Sequence, residues 1–283
     1  VIAKQVTPVC VNHGEGPVWD EAEGVLRWVD MLAGDVMTLN PDARVERRHL
    51  AQVVAALRPR QGGGMVLAVE RGFMLVDPDG QVSRVYEAFG DPGARMNDGG
   101  CDRSGRFFCG SMAYSMAPGR GGLYRFDTDH QVTQVLSGLT ISNGMAWSLD
   151  GSALFYVDTG TGRIDVFDYD TEAGLMYDRR PVVEIGPDLG MPDGLAMDEE
   201  GGLWVALWQG GAVHRYDRSG RLTAVVEVPA SRVTSCAFGG ARGDELYITT
   251  SRDGLSEGAE PSAGALFMVD PGVRGAPVAT FAG

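Results

Sequence analysis

The chain repeats itself. A segment made of glycine, an alternating apolar run and a closing Asp or Asn occurs six times, at Gly34–Asn40, Gly72–Asp77, Gly122–Asp127, Gly162–Asp168, Gly211–Asp217 and Gly264–Asp270. Turn residues follow each copy, as in Pro78-Asp79-Gly80, and a second alternating stretch such as Val82–Val85 or Leu222–Val225 comes next. Period-two alternation on both sides of a Gly/Asp turn is the pattern of a β-hairpin. A second hairpin precedes each of these, and its turn glycines, Gly24, Gly64, Gly105, Gly151, Gly201 and Gly243, lie 40, 41, 46, 50 and 42 residues apart. Four short strands per unit, six units and no convincing helix predict an all-β, six-bladed β-propeller with four antiparallel strands per blade, one domain over residues 1–283. A two-sheet sandwich does not repeat at this period, and the WD40 signature is absent. Ring closure has two solutions at this stage: Ile2–Pro8 and Pro277–Phe281 both fit the outermost strand of the last blade.

Composition narrows the function. The 41 glycines among 283 residues are about twice the usual ~7% share, as many tight turns require. With 24 basic against 38 acidic residues the formal charge is −14, which argues against nucleic acid or an anionic membrane as partner. The longest apolar runs, Val53–Leu57 and Met65–Val69, are strand-sized, far below the ~20 residues of a membrane-spanning helix. Cys10, Cys101, Cys109 and Cys236 form no CxxC pair, so the expectation is free thiols in a reducing cytoplasm. An acidic propeller of this size is expected to act as a monomer or, at most, a dimer.

Structural residues should recur in every blade, and functional ones should be the exceptions. The chain enters its innermost strands at Glu15, Ala55, Asn97, Asn143, Asp193 and Thr234, which should ring one mouth of the central channel. Asn97-Asp98-Gly99, Asn143-Gly144 and Asp193-Gly194 look like hairpin turns, but Gly105, Gly151 and Gly201 supply those turns six to eight residues later. Two carboxylates and two amides aimed at one mouth are costly without a counter-charge, and one divalent cation would resolve the cost. The ligands are all oxygens, which suits Ca²⁺, Mg²⁺ or Mn²⁺ ahead of Zn²⁺ or Fe²⁺. None of His13, His49, His130 and His214 pairs at ligand spacing; His49 and His130 read as surface residues and His214 as packed mid-strand. No GxSxG elbow, Walker loop or GxGxxG is present. Trp204 and Trp208 read as core.

At these residues the sequence resembles the regucalcin/gluconolactonase family, the senescence-marker-protein and luciferin-regenerating-enzyme-like lactonases. The matching segments are Gly14–Trp19, Arg95–Gly99, Gly110–Ala113, Ile141–Gly144, Pro192–Gly194, Leu203–Ala206, Thr234–Cys236 and Arg252–Gly254, in family order over essentially the whole chain. The resemblance implies Glu15, Asn143 and Asp193 as ligands of one divalent metal, and Arg95 and Asn97 as groups that hydrogen-bond a sugar lactone. Where animal members carry acidic residues after the Gly-Thr-Met-Ala segment, this chain has Tyr114-Ser115, so the exact sugar is left open and Tyr114 is expected to cap the pocket. The implied reaction is hydrolysis of an aldonolactone (glucono-, xylono- or arabinono-lactone) at a metal-polarised carbonyl, with Asp193 both ligand and general base because no other titratable group is expected at the mouth. A phosphotriesterase-like or arylesterase-like hydrolase and a metal-stabilised binding scaffold are the alternatives.

Overall fold

A computed structural model describes all residues, 1–283. Six four-stranded antiparallel sheets surround a central channel, five of them simple meanders and the sixth completed by a strand from the N-terminus. The innermost strands of blades 1 to 6 are Gly14–Asp20, Val54–Pro59, Ala94–Cys101, Ser142–Trp147, Met191–Met197 and Val233–Gly239. Every one is followed by a hairpin turn at the glycine the repeat places there, and all six glycines take left-handed φ between 64° and 80°. Helix is confined to three single 3₁₀ turns, at Met31–Ala33, Thr159–Thr161 and Pro187–Leu189.

The two solutions for closure are resolved by hydrogen bonding. Lys4–Gln5 pairs with Phe267–Val269 as the outermost strand of blade 6, so the N-terminal segment closes the ring. The C-terminal segment instead crosses the end of the channel away from the site. Ala276 N–H donates to Met197 O, Phe281 N–H to Pro59 O and Ala282 N–H to Gly105 O, which ties blades 5, 2 and 3 together. The Phe281 ring stacks on Phe126 at 5.2 Å and anchors this segment in the largest apolar cluster.

All six inner strands slip register at the same place. The breaks fall between Glu15 and Val18, Val54 and Ala56, Met96 and Gly99, Ser142 and Met145, Pro192 and Leu195, and Val233 and Ser235. A bulge leaves residues unpaired and re-aims their side chains. The early Asn-Gly and Asp-Gly pairs in blades 4 and 5 are therefore bulges at the mouth, and the hairpin turns lie downstream as the spacing required. Neighbouring inner strands press into these bulges. A Cβ on Gly144 would meet the Leu195 backbone nitrogen at 2.3 Å, so only glycine lets the two strands approach.

Gly144→Ala should therefore destabilise the protein by about 1–3 kcal/mol through overpacking. Gly62→Ala, at a turn position with nothing within 4 Å of the added carbon, should stay within about 0.5 kcal/mol. Urea unfolding of both variants checks the pair, and equal losses would refute the close-approach argument.

Candidate active site at the channel mouth

The bulges bring Glu15, Asn97, Asn143 and Asp193 to one end of the channel, all buried, with Arg95 beside them. Two aspartates on second strands hold the approach. Asp30 accepts the backbone N–H groups of Asn12 and His13, with His13 N at 3.0 Å, just before Glu15. Asp158 accepts those of Thr140 and Ile141, with Ile141 N at 2.9 Å, just before Asn143. Neither aspartate stands out in the sequence, because Val-Asp is an ordinary way for a strand to end.

A directed chain of hydrogen bonds then orients the mouth. Arg95 donates to Asn97 Oδ1 at 2.7 Å and to Met96 O at 2.9 Å. Asn97 donates through Nδ2 to Ser142 O at 2.9 Å and to Asn143 Oδ1 at 3.1 Å. Asn143 donates to Thr159 Oγ1 at 2.8 Å, and Thr159 donates to Pro192 O at 2.7 Å, next to Asp193. With one amide N–H given to Thr159 and its orientation fixed by Asn97, Asn143 can present the remaining lone pair of its carbonyl oxygen to a ligand. Asn97, a substrate contact by resemblance, uses both of its N–H donors inside the protein and so chiefly holds Asn143. Arg95 has no carboxylate within salt-bridge distance; its remaining donor edge makes no bond to the protein.

The electrostatics are unbalanced. Asp193 Oδ1 is buried and accepts no hydrogen bond, while Glu15 Oε2 takes only the N–H of Gly16, at 3.1 Å. Burial, then the charge of Asp98, pushes the Glu15 carboxyl up to about 8. Burial, then Glu15 and Asp98, raises Asp193 well above the usual carboxylate range. Asp98 itself is raised by burial and partly relieved by Arg58. The expectation that Asp193 would be the only candidate base at the mouth is thus corrected: Asp98 is a third buried carboxylate close enough to be felt. The signal was present in Asn97-Asp98-Gly99, but the bulge that carries both side chains inward is not legible in a dipeptide. His13 also lies buried here. Its Nδ1 is 2.8 Å from Ser251 Oγ, its ring meets Trp208 edge-on, and burial, then Arg95, lowers its pKa to about 4.

The other expected residues fall as follows. Tyr114 stands at the rim, 45% exposed, with its hydroxyl 2.7 Å from Glu70 Oε1. Trp204 is core, whereas Trp208 is half-buried near the mouth under the Arg232 guanidinium. His214 is packed and His49 exposed, but His130 is half-buried, stacked against Phe126 and Phe281. All four cysteines are free, three of them buried.

No three His, Cys, Asp or Glu side chains gather as a metal cluster. The set at the mouth is two carboxylates and an amide carbonyl, from Glu15, Asp193 and Asn143. All three are hard oxygen donors, and the unpartnered Asp193 oxygen is the kind of group that a cation satisfies. These residues could hold a divalent cation.

Fold and site together define a six-bladed propeller with a cluster of buried, oxygen-bearing side chains at one mouth. The family model described as SMP-30/Gluconolactonase/LRE-like region matches residues 13–252, and the chain belongs to that family. It is 37% identical to regucalcin of Danio rerio over 279 residues, 95% of each chain. Among solved structures it resembles a calcium-binding protein, regucalcin, from Agrobacterium tumefaciens, with a TM-score of 0.92 and 28% identity over 99% of this chain and 96% of that one. A luciferin-regenerating enzyme superposes with a TM-score of 0.89 and 29% identity over 99% of both chains.

The raised carboxyls carry a pH prediction. Between its ordinary value of 4.5 and about 8, Glu15 is protonated in the fold and ionised in the unfolded chain. The fold then binds the extra proton, so chelator-treated protein should lose stability as pH rises through that window. Glu15→Gln should flatten the decline. Melting temperatures at pH 5 and pH 8 decide it, and parallel curves for the two proteins would contradict the burial of an ionisable Glu15.

Proposed function

We propose that this protein hydrolyses a sugar lactone, opening an aldonolactone to its aldonic acid, with one divalent cation held by Glu15, Asn143 and Asp193. Membership of the gluconolactonase-like family supports the class. The observation that carries the reading is the unpartnered, buried Asp193 Oδ1 beside an Arg95 with no carboxylate partner. That arrangement is costly in a scaffold and useful in a catalyst.

When bound, the cation supplies Lewis-acid stabilisation of the negative charge that grows on the lactone carbonyl oxygen. Asn143 offers its carbonyl oxygen in a fixed direction, because Thr159 and Asn97 hold both ends of its amide. Arg95 uses its free guanidinium edge to grip ring or hydroxyl oxygens and set the angle of attack. Asp193 takes the proton of the attacking water at a carboxylate oxygen, then returns it to the ring oxygen as the ester C–O bond breaks. One water is consumed, and one hydroxyl and one carboxyl are formed. Neighbouring positive charge lowers the Asp193 pKa from its raised value, so the group is ionised when it must act as base.

Asp193→Ala should lose both tight divalent-metal binding and at least about a hundredfold in kcat, the scale of a missing general base. Arg95→Ala should act mainly on KM and on sugar preference. pH-stat hydrolysis of a lactone panel by metal-stripped and reconstituted protein, with bound metal counted after dialysis, tests both. Full turnover in Asp193→Ala would sink the assignment. Turnover of paraoxon or aryl esters with none on lactones would move the protein to the other hydrolase class.

A further inference from the structure

The rim of the mouth contains a carboxylate that the repeats do not single out. Glu70 directly follows the second strand of blade 2, Met65–Val69. Its backbone carbonyl accepts the Met96 N–H at 2.8 Å, which fixes it against the strand that carries Arg95 and Asn97. Its side chain reaches across to blade 3, where the Tyr114 hydroxyl donates to Oε1 at 2.7 Å. Tyr114 follows the strand Phe107–Ala113 and is itself tied by its N–H to Gly93 O at 2.9 Å. Tyr114 and Arg95 lie close enough for each to bear on the ionisation of the other. Burial, then the bond to Glu70, pushes the Tyr114 phenol up to about 12, so it keeps its proton at any working pH.

The chemistry follows from counting donors. The only proton of the Tyr114 hydroxyl is given to Glu70, so the phenol oxygen can offer a ligand nothing but lone pairs. The second Glu70 oxygen is likewise only an acceptor, with Arg71 Nε at a loose 3.8 Å. Arg95, on the other side, offers only donors. A ligand that spans the two needs hydroxyl protons toward blades 2 and 3 and oxygen lone pairs toward Arg95. A ring without hydroxyls would desolvate the rim acceptors and leave them unpaired.

We propose that Glu70, acting through Tyr114, is a specificity-determining positioning residue that selects a polyhydroxylated ring over hydroxyl-free lactones. The proposal rests on the lactonase reading above and deepens it. Its test has a binding arm and a turnover arm, both on full-length protein in the presence of Ca²⁺. In the first, 1,5-anhydroglucitol, a ring polyol with no lactone to hydrolyse, is titrated calorimetrically. Glu70→Gln and Tyr114→Phe should each weaken binding about tenfold, the scale of one charge-assisted hydrogen bond. In the second, the kcat/KM ratio of glucono-δ-lactone to δ-valerolactone should fall about tenfold in either variant, chiefly through KM for the hydroxylated substrate. The double variant should lose no more than the worse single one, because the two side chains act as a unit. Melting temperatures should barely move, since the Glu70 bond to Met96 is made by backbone.

An unchanged ratio, equal losses on both lactones, fully additive losses, or no polyol binding to the parent protein would each overturn the proposal. If the parent binds the polyol yet hydrolyses neither lactone, the lactonase reading fails alone, and the binding arm still judges Glu70.

Discussion

The inner strands of all six blades share one irregularity, a bulge at the same level of the channel, and the site is built on it. At that level the ladder between first and second strands is interrupted in every blade, and the freed residues turn toward the axis. The same interruption, repeated around the ring, therefore aims side chains from several blades at one mouth. Blades 2 and 6 fill their bulges with Ala55 and with Thr234, which donates to Gly14 O at 2.6 Å. Those two blades pack, while blades 1, 3, 4 and 5 contribute Glu15, Asn97, Asn143 and Asp193 to the pocket.

Such concentration has an electrostatic cost that the surroundings only partly offset. Three carboxylates, Glu15, Asp98 and Asp193, share one desolvated region; Asp98 raises Glu15, and both raise Asp193. The nearby cations sit on either side of them. Arg95 is at the mouth, and Arg58 lies deeper, donating to Gly99 O at 2.6 Å and relieving Asp98. Glu15 and Asp193 receive little from Arg58, which leaves them as the pair with the most to gain from a cation. Asp98 is thus better suited to balance Arg58 than to bind a ligand, even though it is adjacent in sequence to Asn97.

What the sequence made legible and what it hid divide along physical lines. Strand alternation and turn glycines act over a few residues, so six repeats of four strands could be counted directly, and the turn glycines sit where the spacing placed them. The excess Asn-Gly and Asp-Gly pairs pointed to the channel mouth by elimination, although the bulges that seat them there were not legible. Closure by Lys4–Gln5 was hidden because a two-residue strand carries almost no pattern and because the tail has an equally good one. His130 read as a surface residue because its partners, Phe126 and Phe281, come from a strand and a terminal segment that meet only in the folded ring. Glu70 was hidden for the same reason. Its meaning depends on Tyr114, 44 residues away in another blade, and no local rule links the end of one second strand to the end of the next.

That separation bears on how a propeller of this kind distributes its tasks. The inner-strand bulges are locked against one another by glycines with no room for a Cβ, as at Gly144, so they are poor places to vary chemistry. The ends of the second strands lie one step outward, with Asp30 and Asp158 buried and Glu70 partly exposed, and their side chains reach to neighbouring segments. Asp30 and Asp158 use that position to fix the backbone leading to Glu15 and Asn143, whereas Glu70 uses it to fix a hydroxyl over the pocket. Replacing such a side chain leaves the ladder intact and changes which hydrogen bonds a ligand must complete. On the proposed reading, reaction class belongs to the bulge layer and substrate choice to the rim. In this chain the Glu70–Tyr114 pair on the rim of blades 2 and 3 offers only acceptors, facing a donor-only Arg95.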